Sequence, residues 1–326
     1  MPPSKPRLHW YTVRPGFVAT VCVALLGLWL FYRHYHPPVG SGPAGAPVPA
    51  EPFARPWSQR QVMVVGVGDS VVVGFGARRG YGVFDRLVSN PPDDAGDMAG
   101  KTLSRVLPKL AVVKIANNST SSGDHLRYQL PLLQKQASDV FGIVVVSTGG
   151  IDLIHDYGDK PPRDEAVYGA PWPDAERYAA AFRQRLEALL DGLASRFPGG
   201  SEIFVATIFD PTDGVGDIDH VDPVLRLWKP LPLWPDGLRT LAAFNTHIRE
   251  AAAARPHVHV VDVHGTLLGH GLHCRDARNP SYHPDDPTYW LYFNLEDPNE
   301  RGYDALRRAF LLEMVKVLPE RLGAPA

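Results

Sequence analysis

The stretch that most constrains this chain is QVMVVGVGDSVVVGFGA, which covers residues 61–77. Its first half is a nearly continuous run of valine and methionine, which predicts a strand buried on both faces of a parallel sheet. The run is broken by Gly66 and Gly68 and is followed by Asp69 and Ser70. Ligands bind at the carboxyl ends of strands in open α/β sheets. Ser70 is therefore either a nucleophile on a tight turn or the cap of the next helix.

Apolar segments and helical patterns alternate after this first strand. Further strands are predicted over 111–116, 142–148, 202–209 and 257–263, and helices over 81–88, 124–136, 174–197, 237–254 and 300–318. A composition of 44% hydrophobic and 21% charged residues supplies an ample core. The alternation predicts an α/β fold, a three-layer α/β/α sandwich around a five-stranded parallel sheet.

The N-terminal region differs in composition from the rest. Residues 16–32 carry no charge and are edged by aromatic side chains, which predicts an N-terminal membrane anchor and transmembrane helix within residues 1–36. A cleaved signal peptide is the rival interpretation. Basic residues before the apolar run favour a cytoplasmic N-terminus and an extracytoplasmic domain. Residues 37–57, rich in proline, glycine and alanine, are predicted to be a linker, so the folded domain is expected over 58–326.

The net charge, the cysteine content and the acidic loop argue against nucleic-acid binding, a disulfide-rich scaffold and a calcium site. A net charge of −2 and a pI near 6.7 lack the positive charge that is typical of nucleic-acid-binding proteins. The two cysteines, Cys22 and Cys274, indicate no disulfide framework. The loop over 210–220 contains Asp210, Asp213, Asp217 and Asp219, but it lacks the bidentate glutamate of a calcium loop. We therefore expect neither a metal nor a cofactor.

Four polar segments follow strands or open the last helix. They are GDS at 68–70, NSTSSG at 118–123, TGGID at 148–152 and NLEDPNERGY at 294–303. In this order and placement they resemble the SGNH/GDSL hydrolases, over about residues 60–320. The resemblance implies the flavodoxin-like sandwich of that family and hydrolysis of an ester.

The resemblance also implies roles for single residues. Ser70 is the expected nucleophile, and its main-chain N–H, with N–H groups of Gly123 and Gly150, is expected to form the oxyanion hole. Because residue 123 is glycine, no side chain at this position blocks an approaching substrate oxygen. Supporting positions within the same segments are Asp69, Asn118 and Asp152.

Two positions depart from the family pattern. Ile151 stands where an oxyanion asparagine is expected, and isoleucine cannot donate a hydrogen bond. Asp297 stands where the triad histidine is expected, with Asn294 in the place of the acid. A carboxylate is a weaker base than imidazole unless burial raises its pKa. The catalytic set predicted here is therefore Ser70 with Asp297 and a substitute base.

Histidines that follow the fifth strand are candidates for that base. His273 in GHGLHC is the preferred one, with His264 and His270 as possible supporting residues. The alternative is that these are ordinary loop histidines, as we expect for His125 and His155.

The function predicted from these features is a serine ester hydrolase that acts on O-acyl esters of carbohydrates or lipids through an acyl-enzyme on Ser70. Two alternatives stay open. One is a catalytically impaired binding or structural module on the same scaffold, favoured by Ile151 and Asp297. The other is a carbohydrate O-acyltransferase that uses the same nucleophile.

Overall fold

A computed structural model describes residues 15–35, 38–154, 167–216 and 234–323, without the side chains of 15 and 31–35. Five strands form one sheet: β1 (Gln61–Gly68), β2 (Leu110–Lys114), β3 (Val140–Ser147), β4 (Ser201–Ala206) and β5 (Val258–Val261). Their order is β2-β1-β3-β4-β5, and every neighbouring pair is parallel. The predicted five-stranded parallel sheet is confirmed. In this order the chain reverses direction across the sheet between β1 and β3, where ligands of such folds bind.

Helices cover both faces of the sheet. In the unit that contains the sheet they are α2 (Ser70–Val73), α3 (Val83–Val88), α4 (Leu103–Val106), α5 (Ser122–Asp124), α6 (Gly150–Ile154), α7 (Trp172–Ala194), α8 (Gly237–Ala253), α9 (Val263–Leu267) and α10 (Glu300–Gly323), whereas α1 (Pro15–Tyr35) belongs to another unit. Alternate valines of β1 point to opposite faces, so Val62 and Val64 pack in the layer of α3 and α10. Val65 and Val67 pack in the layer of α7 and α8.

One predicted helix is wrong. The segment over 124–136 does not continue as an α-helix after α5 but forms a π-turn, His125–Gln129, and a 3₁₀ turn, Leu130–Leu132. Pro131 cannot donate to the helical ladder, which explains why the segment ends there. The change has a consequence for function, because the π-turn directs Gln129 toward the end of β1.

The predicted linker is also wrong over residues 39–57. The compact unit begins at Val39, and four apolar side chains of this segment are buried in its core, namely Ala44, Val48, Phe53 and Trp57. The main-chain N–H of Ala44 donates to Asp304 Oδ2 at 3.2 Å. The small residues that suggest a free tether in the sequence instead allow this segment to pack closely against α10. A Cβ at Gly45 would lie 3.1 Å from Ala305 of that helix.

Helix α1 belongs to a separate unit, Met1–Pro38. None of the helices in the described ranges is both long enough and apolar enough to cross a membrane. The transmembrane helix predicted within residues 1–36 is therefore not supported.

Candidate active site

The turn that follows β1 places Ser70 at the carboxyl edge of the sheet. Gly68 has a φ of +134°, and a Cβ there would lie 2.0 Å from the carbonyl oxygen of Ser147, so only glycine fits. Asp69 caps α2, since its Oδ1 accepts from the N–H of Val71 at 3.2 Å. Ser70 is the first residue of α2 and is 8% exposed. The interpretation of Ser70 as the helix cap is therefore wrong, because Asp69 is the cap.

The backbone of this turn is held by a side chain from the π-turn. Gln129 Oε1 accepts from the N–H of Gly68 at 2.8 Å, and its Nε2 donates to the carbonyl of Gly68, also at 2.8 Å. Thr120 Oγ1 donates to the same carbonyl at 3.1 Å. Behind it His125 is fully buried and contacts Thr148 Oγ1 through Nδ1 at 2.8 Å. Burial lowers the pKa of His125 to about 4, so this histidine is a neutral part of the scaffold.

The second and third polar segments are tied together below the site. Asp152 is fully buried and accepts from the N–H of Ser122 at 2.8 Å, from the Ser122 hydroxyl and from Arg185 Nη2 at 3.1 Å. Gly123 is buried in the same turn, whereas Asn118 is exposed. None of these three predicted site residues, Asp152, Gly123 and Asn118, lines the cavity that contains Ser70. They support the scaffold of the site.

The loop before α10 brings Asp297 to Ser70. Asp297 is 2% exposed, and its Oδ2 accepts from Asn294 Nδ2 at 2.8 Å. The Ser70 hydroxyl lies close enough to lower the Asp297 pKa, yet it does not complete a well-aligned hydrogen bond, and Asp297 Oδ1 is buried without a partner. Such loose alignment is common in enzymes without substrate. The three side chains follow the order of a triad, with Asp297 in the place of the histidine and Asn294 in that of the acid.

Two carboxyl groups beside Ser70 have raised pKa values. Burial raises the pKa of Asp69 to about 7, a contact with Ser147 opposes the change, and the nearby charge of Asp297 adds to it. Burial also raises the pKa of Asp297, while the hydrogen bond from Asn294 and the nearby Ser70 hydroxyl act in the opposite direction. A raised pKa makes a carboxylate a stronger base. The environment therefore corrects part of the weakness that an aspartate has as a substitute for histidine.

The candidate histidines occupy other places. None of His264, His270 and His273 lines the cavity, and none contributes to the pKa shifts of Asp69 and Asp297. The ring of His270 is stacked on Trp290, and burial lowers its pKa to about 4. His264 Nδ1 contacts the carbonyl of Ile208 at 3.2 Å. The main-chain N–H of His273 donates to Asp213 at 2.8 Å, while His155 lies outside the described residues. The role of His273 as the base stays a prediction.

The cavity next to Ser70 is mostly apolar. Ser70, Thr148, Gly150 and Glu296 contribute polar groups. The wall is formed by large apolar side chains from α6, β4 and α8 and the segments beside them, including Ile151, Ile154, Ile208, Trp234, Leu238 and Leu241. A Cβ on Gly150 would lie 3.6 Å from Asp69 Oδ2, so Gly150 is adjacent to the turn of residues 68–76, which we call the nucleophile turn after the role that the resemblance implies for Ser70. Such a cavity is suited to the apolar part of a ligand.

The aspartate-rich loop has a structural role in its described part. Asp213 accepts from the N–H groups of Gly269, Gly271 and His273, and Asp210 accepts from those of Thr212 and Gly214. Asp217 and Asp219 lie outside the described residues. Among the residues that the structure describes, no group of three or more His, Cys, Asp or Glu is arranged to hold a metal ion.

Sequence reasoning missed Gln129 and the contribution of α8 to the cavity. Gln129 lies in a segment predicted as a regular helix, and nothing in its immediate sequence marks it. The role of Tyr303 in the Pro-Asn-x-x-Gly-Tyr segment also emerges only here. Its hydroxyl donates to the carbonyl of Phe75 at 2.7 Å and so joins α10 to the end of the nucleophile turn.

Comparisons with known proteins place these segments in a family. No curated protein matches the chain by sequence. Among solved structures, the lipase Lip_vut3 from a goat rumen metagenome has a TM-score of 0.45 at 13% identity, covering 79% of this chain and 99% of its own. An extracellular lipase from Streptomyces rimosus has a TM-score of 0.44 at 15% identity, with 77% and 98% covered. The acetyl xylan esterase AlAXEase has a TM-score of 0.44 at 14% identity, with 76% and 97% covered.

The model of one protein family matches most of the domain. It is the model of the GDSL-like lipase/acylhydrolase family, and the match covers residues 67–291. The matched range includes the Ser70 turn, the segments after β2 and β3, and the first part of the loop before Asp297. This chain belongs to the GDSL-like lipase/acylhydrolase family.

Proposed function

We propose that this chain is a serine ester hydrolase in which Ser70 is the nucleophile and Asp297 is the general base. The observation that carries the proposal is the buried pair itself: Ser70 lines an apolar cavity, and the Asp297 carboxyl beside it has one unpartnered oxygen. An unpartnered buried carboxylate oxygen is costly, and a catalytic role is one of the explanations for such a group.

The proposed reaction uses these two side chains. Asp297 takes the proton of the Ser70 hydroxyl while Oγ attacks the ester carbonyl carbon, and the carbonyl oxygen becomes negatively charged. The tetrahedral intermediate collapses, the alcohol leaves with the proton from Asp297, and an acyl-enzyme stays on Ser70. Water then attacks the acyl carbonyl, gives its proton to Asp297, and the carboxylic acid leaves as Ser70 regains the proton. We assign the oxyanion to the main-chain N–H groups of Ser70 and Gly150, since both residues line the cavity.

The cavity wall supports the substrate class. Its large apolar side chains suit an apolar acyl chain, so we propose O-acyl esters of a lipid or a carbohydrate with the acyl chain in this cavity. Each buried CH₂ contributes about 0.8 kcal/mol. Activity is therefore expected to rise as the acyl chain lengthens from acetate until the cavity is filled.

Labelling with a fluorophosphonate probe tests the nucleophile. Wild-type protein is expected to be labelled and Ser70→Ala is not. Ser195→Ala is a matched control, because the Ser195 hydroxyl is exposed and donates only to the Gly192 carbonyl at the end of α7. Labelling that survives in Ser70→Ala contradicts the assignment of the nucleophile.

A binding module without turnover is the second candidate. It is favoured by Ile151, which lines the cavity in the place of an oxyanion donor. Binding of a long-chain ester by Ser70→Ala and by wild type with equal affinity, together with no acid product from wild type, would identify it. An O-acyltransferase would instead give acylated acceptor in place of free acid when a carbohydrate is added, which mass spectrometry of the products distinguishes.

The location of the domain stays a proposal that rests on the sequence. The basic residues and apolar run at the N-terminus lead us to propose an extracytoplasmic domain on the membrane side where ester substrates of the envelope are found. Protease treatment of intact cells tests it: digestion of the domain is expected without lysis, and protection until lysis contradicts the proposed location.

A further inference from the structure

Exposed aromatic side chains gather on two segments whose backbones are hydrogen-bonded to Ser70 and to Asp297. Among the described residues from Val39 onward, the exposed Phe, Tyr and Trp side chains are Phe75, Tyr128 and Phe293. Two of them, Phe75 and Phe293, belong to one group with Tyr292. The rings of Phe75 and Tyr292 meet edge to face, with centroids 5.9 Å apart, and those of Tyr292 and Phe293 lie 4.4 Å apart.

Backbone hydrogen bonds attach this group to the reacting pair. The N–H of Phe75 donates to the carbonyl of Ser70 at 3.1 Å, and the N–H of Tyr292 donates to the carbonyl of Asp297 at 2.7 Å. A Cβ at Gly76 would lie 2.8 Å from the Tyr292 ring, so this glycine lets the ring lie directly on the nucleophile turn. The three aromatic rings therefore form a platform beside the Ser70–Asp297 pair, and we call it the aromatic platform.

The chemistry of the reaction says which part of an ester reaches this side. The group that deprotonates Ser70 later returns the proton to the leaving oxygen, so the alcohol part of the ester must lie next to that group. Asp297 has this role in the proposed function. The acyl part is directed into the apolar cavity of Ile151, Trp234 and Leu241, and neither Phe75, Tyr292 nor Phe293 lines that cavity.

We propose that Phe75, Tyr292 and Phe293 bind a ring in the alcohol part of the substrate, an inference that rests on the proposed function. Exposed aromatic faces that are held in place bind flat apolar surfaces at low entropic cost. A benzyl group and the C–H face of a sugar ring share this chemistry, and the platform is therefore a selectivity site for ring-bearing alcohols over small aliphatic ones.

Esters that share one acyl group test the platform. The substrates are the butanoates of methanol, benzyl alcohol and glucose O6, whose alcohols are leaving groups of similar basicity. Phe293→Ala is expected to lower kcat/KM for the ring-bearing esters about 3- to 10-fold relative to the methyl ester, the range of an aromatic contact. Tyr128→Ala is the matched control, since Tyr128 is 65% exposed and Phe293 is 66% exposed. It is expected to leave the ratio unchanged.

Each result has a definite meaning. Loss with the benzyl ester alone assigns the platform to aryl groups, and loss with the glucose ester assigns it to sugars. An unchanged ratio for both ring esters overturns the proposal. It is also overturned if Phe293→Ala affects only binding to phosphatidylcholine vesicles, because the aromatic platform would then contact a lipid surface.

A binding measurement separates this proposal from the proposed function. The benzyl and methyl esters are titrated into Ser70→Ala by calorimetry, with and without Phe293→Ala. A preference for the benzyl ester that disappears in the double variant supports the platform even if wild type hydrolyses neither ester. Equal affinity for the two esters in Ser70→Ala overturns the platform, whatever the result of fluorophosphonate labelling.

Discussion

The nucleophile turn and the loop of Asp297 face each other, but they are built differently. In the first, the polar groups of Gly68 are all bonded, and glycine supplies the positive φ. In the second, Leu295 has a φ of +60°, a costly conformation for leucine, and Asp297 Oδ1 is buried without a partner. Backbone strain and unsatisfied polar groups accumulate at functional sites. Under the proposed function, the attacking group keeps the arrangement that the family resemblance implies, while proton transfer depends on a loop of different build.

The largest effect is expected from Asp297→Asn, which removes the base but keeps the shape and the contact with Asn294. We expect kcat/KM to fall about 10²- to 10⁴-fold, as for loss of a general base. Asp297→His is expected to retain more activity than Asp297→Asn and to move the acidic limb of the pH profile toward the histidine pKa of about 6.5. Steady-state kinetics over pH measure both.

Glu296→Gln is the control for this prediction, because Glu296 is the neighbouring carboxylate and also lines the cavity. It is expected to change kcat/KM by less than about threefold, since a substitution outside the reacting pair has a small effect. If Asp297→Asn hydrolyses esters as fast as wild type does, the base lies elsewhere and the contrast between the two regions disappears.

The nucleophile turn can be predicted from the sequence more fully than the loop of Asp297 can. The β1 strand, the turn and Ser70 follow from a valine run broken by glycine, a local pattern that reports burial directly. Position 297 can be found by resemblance, but its role depends on which side chains are near Ser70 and how deeply they are buried. The preference for His273 cannot be decided from sequence for the same reason, and the structure adds that the main chain of the 269–273 turn is bound by Asp213.

The same limit explains the errors in the fold. Residues 39–57 resemble a tether because glycine, alanine and proline bury little surface, and only the partner surface on α10 shows that they pack. Gln129 carries no local signal, because its two bonds join residues far apart in the sequence. Non-local contacts of this kind determine which side chains meet at the site, whereas local apolar patterns determine which segments form the strands of the sheet.

Asp69→Asn tests the raised pKa of Asp69 through the pH dependence of the unfolding free energy. The wild-type Asp69 carboxyl has a pKa of about 7 in the folded state, above its value of 3.8 in the unfolded state. Between these two pKa values the folded state binds more protons than the unfolded state. The wild type therefore loses stability as the pH rises from 3.8 to about 7. Asparagine keeps the helix cap and does not titrate. We expect the advantage of the variant in unfolding free energy to be larger at pH 8 than at pH 5 by on the order of 2–3 kcal/mol. Urea denaturation measures this, and an equal difference at both pH values contradicts it.

Ile151→Asn asks whether the missing oxyanion donor can be restored. Ile151 lines the cavity and is 7% exposed, so an amide there would face the substrate carbonyl. Because one donor in an oxyanion hole contributes about 10²- to 10³-fold in kcat, we expect a gain of up to about 100-fold with short acyl esters. Ile151→Val is the control without a donor. A decrease with acetate esters for a folded Ile151→Asn variant would show that the oxyanion forms in another place.

The smallest effect is expected from Gln129→Met, which tests whether the order of the nucleophile turn matters for rate. Methionine fills a similar volume but leaves the Gly68 N–H without its acceptor, whereas the Gly68 carbonyl keeps its bonds from Thr120 and the N–H of Asn117. A positioning role predicts that kcat falls about 3- to 10-fold with KM unchanged, since one lost hydrogen bond costs about 1 kcal/mol. Gln136→Met is the control, because the side-chain amide of Gln136 donates only to the nearby Gln134 carbonyl. Equal kcat values for the two folded variants would show that the turn holds Ser70 in place without Gln129.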